Sequence, residues 1–306
     1  MESKYFQLEQ ISDGVFGAIS SDLGFTVANA GIVDFGDFTL VWDSFASAVA
    51  AEDLRHAAEE LTNKPVSMLV NSHFHMDHSR GNQALANCQI ISSTTTRDLM
   101  RERFERFQHE AVKFPDWLEN TRQKLEQEKD ATKRKILTAQ VRELESELEI
   151  VKSLKPTFPS LTFQHSLELH GLKRSAKILE FAGHTGSDSV LLIDDEILFA
   201  GDLLLDKNLG FMCHGNPELW LETLTKLEAL NFKTVLPGHG KPSDRQLMPN
   251  MRAYILQMLE LGKSVQSPDD LEQIEIPQAW REWGLLEGFR HNLQFLFEQK
   301  NAKTRI

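Results

Sequence analysis

One short segment, residues 71–78 with the sequence NSHFHMDH, concentrates the reactive side chains of this chain. Four side chains that commonly bind metal ions lie within six residues: His73, His75, Asp77 and His78. The apolar run Val66–Val70 precedes the segment and predicts a buried strand, and residues 81–86 after it predict the start of a helix. The segment is therefore predicted to be a strand-to-helix loop, where a rigid scaffold commonly presents reactive groups.

The spacing within this loop predicts two groups of metal ligands. Residues two apart in an extended loop point to the same side, so His73 and His75 can bind one metal ion. Asp77 and His78 follow on the next bend and can face a second ion. Neutral imidazole and carboxylate suit zinc, manganese and iron.

The composition argues against two classes of binding partner. The chain has 306 residues, a hydrophobic fraction of 41% and a formal net charge of −12. This acidic balance disfavours binding to nucleic acid or to an anionic membrane. The N-terminal residues do not resemble a signal peptide, and no apolar run approaches transmembrane length, so we expect a soluble cytoplasmic protein. Cys88 and Cys213 have no metal-binding or redox spacing.

Alternating strands and helices predict an α/β fold, interrupted by one long helical stretch. Residues 1–93 and 157–306 are predicted to form one domain, with Ser44 as the cap of a first helix ending near Asn63. Residues 94–156 are predicted to be a helical insertion, an antiparallel pair broken at Pro115. Its apolar stripe repeats every three or four residues, at Leu137, Val141, Leu144, Leu148 and Val151. We expect this stripe to pack on a second copy of the chain or to cover the metal loop.

Three later loops repeat one arrangement, in which an apolar strand is followed by glycine and then by a ligand-type side chain. These pairs are Gly183-His184, Gly201-Asp202 and Gly238-His239. Glycine lets backbone segments approach closely. Each pair alone is a weak signal, but with the His73–His78 segment they place further imidazoles and a carboxylate at strand ends.

Together, these motifs resemble the metallo-β-lactamase-fold hydrolases, from about residue 12 to residue 242. The resemblance implies an αββα four-layer sandwich with a dinuclear metal site, two divalent ions that we expect to be zinc, with manganese or iron as alternatives. It also implies which residues bind each ion: His73, His75 and His184 the first, Asp77, His78 and His239 the second, with Asp202 between the two.

The same resemblance implies a hydrolase in which a metal-bridging hydroxide attacks an ester, thioester, lactone or amide-like bond of a small-molecule substrate. Asp77 and Asp202 would be its catalytic carboxylates. Asp202 is similar to the bridging aspartate of glyoxalase II, lactonases, tRNA-processing nucleases and alkylsulfatase-like members, whereas class B1 and B2 lactamases use cysteine there. The alternative is a di-iron or iron-dependent oxidoreductase on the same fold. A further alternative is an interaction protein whose helical insertion forms a homo-oligomer.

Two more residues are candidates for supporting roles. His214 lies on the loop after Asp202 and could bind substrate or protonate a leaving group. Asp43 follows a predicted strand and could accept a hydrogen bond from a metal-binding histidine, or could simply be a turn residue.

Overall fold

Two mixed β-sheets face each other in the computed structural model, which describes residues 3–21 and 25–304. The first sheet contains, in spatial order, β1 (Phe6–Ser12), β2 (Val15–Ser20), β3 (Ala30–Asp34), β4 (Thr39–Trp42), β5 (Val66–Val70), β6 (Gln89–Ser93) and β7 (Leu161–Phe163). The second sheet contains, in spatial order, β8 (Ser166–His170), β9 (Ser175–Phe181), β10 (Asp188–Ile193), β11 (Ile197–Gly201), β12 (Thr234–Pro237) and β13 (Ser243–Asp244).

Helices cover the outer faces of both sheets and fill one long connection. They are α1 (Ala48–Thr62), α2 (Met76–Ser79), α3 (Thr94–Ala111), α4 (Phe114–Gln127), α5 (Ala131–Ser153), α6 (Pro217–Glu228), α7 (Leu247–Ser264), α8 (Pro268–Gln273) and α9 (Gly288–Thr304). Two 3-10 helices span Arg80–Leu85 and Gln278–Trp280. Within the described ranges, none of the helices combines the length and apolar character needed to cross a membrane.

Three apolar clusters hold the layers together. The central cluster lies between the sheets, where Trp42 of the first sheet meets Phe199 of the second, their ring centroids 6.4 Å apart. A second cluster packs α1 against the first sheet, and a third packs α6, α7 and α9 against the second. Burial on both faces explains why the central strands are almost wholly apolar. The arrangement confirms the predicted αββα sandwich.

Strand direction brings the ligand-bearing loops to one edge of the sandwich. In the first sheet β5 runs parallel to β4 and β6. In the second sheet β11 runs parallel to β12, and β9 has the same direction because β10 is antiparallel to both β9 and β11. The carboxyl ends of β4, β5, β9, β11 and β12 therefore carry the loops that contain the predicted site.

The long connection between β6 and β7 contains three helices, α3, α4 and α5, where a pair was predicted. Pro115 lies in the first turn of α4, where its missing N–H costs nothing. The second break falls at Asp130, whose side chain accepts a hydrogen bond from the Lys133 N–H and caps α5. The helices lie inside the range 94–156, and the division of the chain into a domain and an insertion stays a prediction.

Other boundaries differ slightly from the sequence-based expectation. Ser47, and not Ser44, caps α1, because its side chain faces the Ala50 N–H while the Ser44 hydroxyl bonds to Asn82. Residues 1–2 and 305–306 of the predicted domain, and residues 22–24, lie outside the described residues.

Candidate metal centre

The segment after β5 places four of the predicted ligands. His73 and His75 lie on the short extended stretch after the strand, and Asp77 and His78 lie on α2. His73 and His78 are almost completely buried, whereas Asp77 keeps a quarter of its side chain exposed. The loop therefore carries two buried histidines beside a partly exposed carboxylate.

The second sheet supplies the other three ligands from the ends of β9, β11 and β12. His184 follows β9, Asp202 follows β11 and His239 follows β12. Glycine is required beside two of them: Gly183 has φ +154° and lies against Trp220, and a side chain at Gly238 would occupy the place of the Asp202 carboxylate. The glycines thus let the three loops converge.

The seven side chains form two groups. His73, His75, His184 and Asp202 make the first group, and Asp77, His78 and His239 make the second. Within each group, the ligand-type atoms lie within 4.8 Å of one another. Asp202 touches both groups, with Oδ2 3.4 Å from His184 Nε2 and 3.3 Å from His239 Nε2, and Oδ1 3.1 Å from His78 Nε2.

Several buried polar atoms at the centre make no well-oriented hydrogen bond within the described part of the chain. They are His73 Nε2, His78 Nε2 and Asp202 Oδ1. Buried polar atoms are almost always satisfied, and leaving one unpaired costs about 1–3 kcal/mol. Three such atoms converging with further imidazole nitrogens fit a cation that would complete their coordination.

The other ring nitrogens of these histidines are mostly held by protein. Nδ1 of His78 lies 2.8 Å from Asp43 Oδ2, Nδ1 of His73 lies 2.9 Å from Ser72 Oγ, and Nδ1 of His239 lies 3.1 Å from the Val27 carbonyl. The Asp43 carboxylate also accepts the N–H and hydroxyl of Ser72. Such partners fix which nitrogen of each ring faces the centre.

The histidine pKa values differ between the two ligand groups. Burial lowers the pKa of His73 and His75 well below the usual value, with neighbouring imidazoles adding to the effect, and burial lowers the pKa of His184 to about 4. For His239 burial opposes the charge, but the Asp202 and Asp77 carboxylates outweigh it and raise the pKa to about 9. The first group therefore offers neutral lone pairs, the form in which imidazole binds metal.

The Asp202 carboxylate supplies negative charge to both groups. Burial disfavours its charged form, but the neighbouring His239 and His78 rings outweigh that cost and hold the pKa of Asp202 well below its usual range. An ionised carboxylate between two clusters of imidazole is suited to hold cations on either side.

His214 lies on the loop after β11, beside the first group. Its Nδ1 is 2.8 Å from His75 Nε2, and its ring packs near Phe74 and Phe211, with centroids 5.3 and 5.1 Å away. Partial burial of the His214 ring and the nearby Arg103 and Arg106 charges lower the pKa of His214, although its side chain keeps an exposed part. The loop thus lies next to a predicted ligand, and contact of His214 with substrate stays a prediction.

The long helical connection meets the metal loop at Arg80, directly after α2. Its guanidinium lies 2.5 Å from Glu147 of α5 and 4.4 Å above the Phe107 ring of α3, and 7% of its side chain is exposed. Asn82 adds a hydrogen bond to the Thr157 carbonyl, 3.1 Å away. The helices are therefore tied to the segment that carries Asp77 and His78.

Sequence reasoning named all seven converging side chains, and their role as metal ligands stays a prediction. It also named Asp43, which the structure places against His78. It did not find Ser72, whose signal was only its position beside His73, or the Val27 carbonyl, which no side-chain pattern can reveal. Arg80 was also missed, because its partner Glu147 lies 67 residues away.

Comparisons with known proteins agree with this geometry. Residues 23–239 match the sequence profile described as the metallo-beta-lactamase superfamily. Over 77 residues the chain is 35% identical to a hydroxyacylglutathione hydrolase from Glaesserella parasuis, a stretch that covers 25% of this chain and only 32% of that relative's length.

Solved structures show the same fold. A metallo-beta-lactamase from Pontibacter korlensis superposes with a TM-score of 0.59 at 18% identity, covering 82% of this chain and 99% of the other. A metallo beta lactamase from Hirschia baltica gives a TM-score of 0.57 at 17% identity, with 82% and 98% coverage. With the matched residues extending over most of the sandwich and ending at His239, the chain belongs to the metallo-β-lactamase superfamily.

Proposed function

We propose that this protein is a hydrolase that uses two divalent metal ions to cleave an ester, thioester, lactone or amide-like bond of a small molecule. The observation that carries the proposal is the position of Asp202, whose two carboxylate oxygens face both ligand groups at 3.1–3.4 Å. A carboxylate shared in this way suits a site that works with a pair of ions. Zinc is the metal we expect, with manganese or iron as alternatives.

The seven side chains would have different roles. His73, His75 and His184 would hold one ion, Asp77, His78 and His239 the other, and Asp202 would contact both. When bound, such ions supply Lewis acidity and lower the pKa of water toward neutrality. Asp77 is the most exposed carboxylate of the cluster, and we assign it to accept a hydrogen bond from the attacking water and so orient it.

The partial match to a hydroxyacylglutathione hydrolase supports including a thioester among the substrates tested. The structural neighbours, at 16–18% identity, support the fold but do not indicate which type of bond is hydrolysed. Hydroxyacylglutathione, a chromogenic β-lactam, an acyl lactone and a phosphodiester therefore form a balanced panel.

The test is a set of initial hydrolysis rates for zinc-, manganese- and iron-reconstituted protein on this panel. Asp202→Ala is the blank, and Asp195→Ala, in the exposed turn after β10, is the matched control. We expect the wild type and Asp195→Ala to hydrolyse one class of bond and Asp202→Ala to lose at least a hundredfold in rate. Equal rates in all three proteins would contradict the assignment of Asp202.

The iron-dependent oxidoreductase alternative has a different signature. Iron retained through purification, a visible absorbance band and oxygen uptake with a thiol substrate, together with no hydrolysis of the panel, would favour it over the hydrolase.

A further inference from the structure

His75 has both ring nitrogens engaged on opposite sides. Nδ1 lies 3.0 Å from Nε2 of His184, inside the first ligand group, while Nε2 lies 2.8 Å from Nδ1 of His214. His75 Nδ1 is therefore the nitrogen that faces the first group. Its Nε2 faces a side chain on a different loop.

If Nδ1 of His75 binds a metal ion, the tautomers of both rings follow. A histidine that offers its Nδ1 lone pair to a metal carries its proton on Nε2. The His75 Nε2–H then donates to Nδ1 of His214, which must be unprotonated, so the His214 proton lies on Nε2. Metal-binding histidines commonly donate their second N–H to such a partner, and this partner sets the ring orientation.

His214 differs from the other partners of the ligand histidines. Asp43 and Ser72 are buried, and the partner of His239 is a backbone carbonyl, whereas His214 is exposed. Within the described residues, no protein group is hydrogen-bonded to its Nε2. Among the described hydrogen-bond partners of the ligand histidines, His214 is thus the exposed side chain.

Two C-terminal helices hold the loop that carries His214. Asn292 of α9, fully buried, accepts the Met212 N–H at 2.8 Å and donates to the Gly210 carbonyl at 2.8 Å. The Tyr254 hydroxyl of α7 donates to the same carbonyl at 2.7 Å. Asn216 N–H also bonds to the Gly183 carbonyl, one residue before His184. The loop therefore has a defined position without any ligand.

We propose that His214 is a positioning residue that orients His75 for the first metal ion, and that α7 and α9 act on the site through this contact. The inference rests on the proposed function, because it requires that His75 binds metal. It adds a role for the C-terminal helices, which reach the centre through Asn292, the loop and His214.

Two substitutions separate the hydrogen bond from the packing. In His214→Asn the amide oxygen can take the place of Nδ1 and still accept from His75. In His214→Phe the ring remains between Phe74 and Phe211, but the acceptor is lost. His109→Phe, on α3 and outside the ligand groups, is the control for loss of a histidine.

The measurement is zinc affinity by competition with a chromophoric chelator, paired with the absorption spectrum of the cobalt(II)-loaded protein and metal-free thermal unfolding. We expect the first ligand group of His214→Phe to bind zinc about 10–100-fold more weakly than that of the wild type. The absorption spectrum of the cobalt-loaded variant should also change. His214→Asn and His109→Phe should stay within about threefold of the wild type, a margin well below that effect. Metal-free unfolding of all the variants should be similar.

Equal affinities for His214→Asn, His214→Phe and the wild type, with two ions still bound, would overturn this inference and leave the proposed function in place. Equal losses in the Asn and Phe variants would also overturn it, because the acceptor would then be irrelevant. Wild-type protein that takes up no metal would contradict both proposals.

Discussion

Oδ2 of Asp43 lies 2.8 Å from Nδ1 of His78, and both side chains are almost completely buried. Asp43 has φ +57°, in the left-handed region that aspartate and asparagine tolerate better than most residues. The backbone after β4 is thus held in a rare conformation at a residue that orients a predicted metal ligand. Such outliers often accompany functional sites.

Asp43→Asn should weaken metal binding while keeping the backbone conformation. The carboxylate accepts from His78, from the Ser72 N–H and from the Ser72 hydroxyl, and one amide oxygen cannot replace both of its oxygens. We expect an affinity loss of about 10–100-fold, measured by chelator competition. Asp195→Asn, in an exposed turn, is the control. Unchanged affinity in Asp43→Asn would show that His78 is oriented by its surroundings alone.

Single ligand substitutions should remove one ion at a time. His239→Ala breaks only the second group, and His73→Ala breaks only the first. We expect each variant to retain close to one equivalent of metal after dialysis, measured by elemental analysis, against two for the wild type. His109→Ala should retain both. Two equivalents in either ligand variant would contradict the division into two groups.

The Arg80–Glu147 contact should stabilise the attachment of the helical connection. The side chains are 7% and 16% exposed, so Arg80→Met leaves a largely buried carboxylate without its partner. We expect a loss of about 3 kcal/mol in the free energy of unfolding, with part of it recovered in Arg80→Met/Glu147→Met. Chemical denaturation measures both.

Arg122 and Glu145 provide the matched control, since they join α4 and α5 at 2.6 Å with about half of each side chain exposed. Arg122→Met should cost less than about 1 kcal/mol. If Arg80→Met and Arg122→Met lose similar free energies of unfolding, the Arg80–Glu147 contact stabilises the protein no more than an exposed ion pair does.

Asp34 should make stability depend on acidic pH. Burial opposes its charge, but hydrogen bonds from Lys173 and Lys64, at 2.6 and 3.0 Å, outweigh it and lower the pKa from 3.8 to about 2. Because the folded-state pKa is the lower one, the stabilisation is present above about pH 4 and is lost as the pH falls toward 2.

Asp34→Asn should therefore lower the free energy of unfolding by about 1–2 kcal/mol at pH 7 and by less at pH 3. Denaturant titrations of both proteins at the two pH values measure the difference, with Asp195→Asn as the control. A difference that does not change with pH would contradict the assigned ion pairs.

The sequence predicted the converging side chains better than it predicted the contacts around them. His184, Asp202 and His239 each follow a short apolar strand and a glycine, and both signals are local. His214 was visible only as a loop histidine, because its position depends on Asn292 and Tyr254, which lie 78 and 40 residues further along the chain. The prediction that Ser44 caps the first helix was wrong for a similar reason, since the Ser44 hydroxyl donates to Asn82 and Ser47 caps α1 instead.

Each ligand group takes members from both sheets: His73 and His75 come from the first and His184 from the second, and His78 and His239 divide in the same way. A bound ion would therefore cross-link the two halves of the sandwich. Each tenfold excess of free metal over its dissociation constant would add about 1.4 kcal/mol to the stability of the joined state. The concentration of free metal would then affect how long the protein stays folded as well as its activity. Removing the metal with a chelator would make the contact between the two sheets more susceptible to proteolysis.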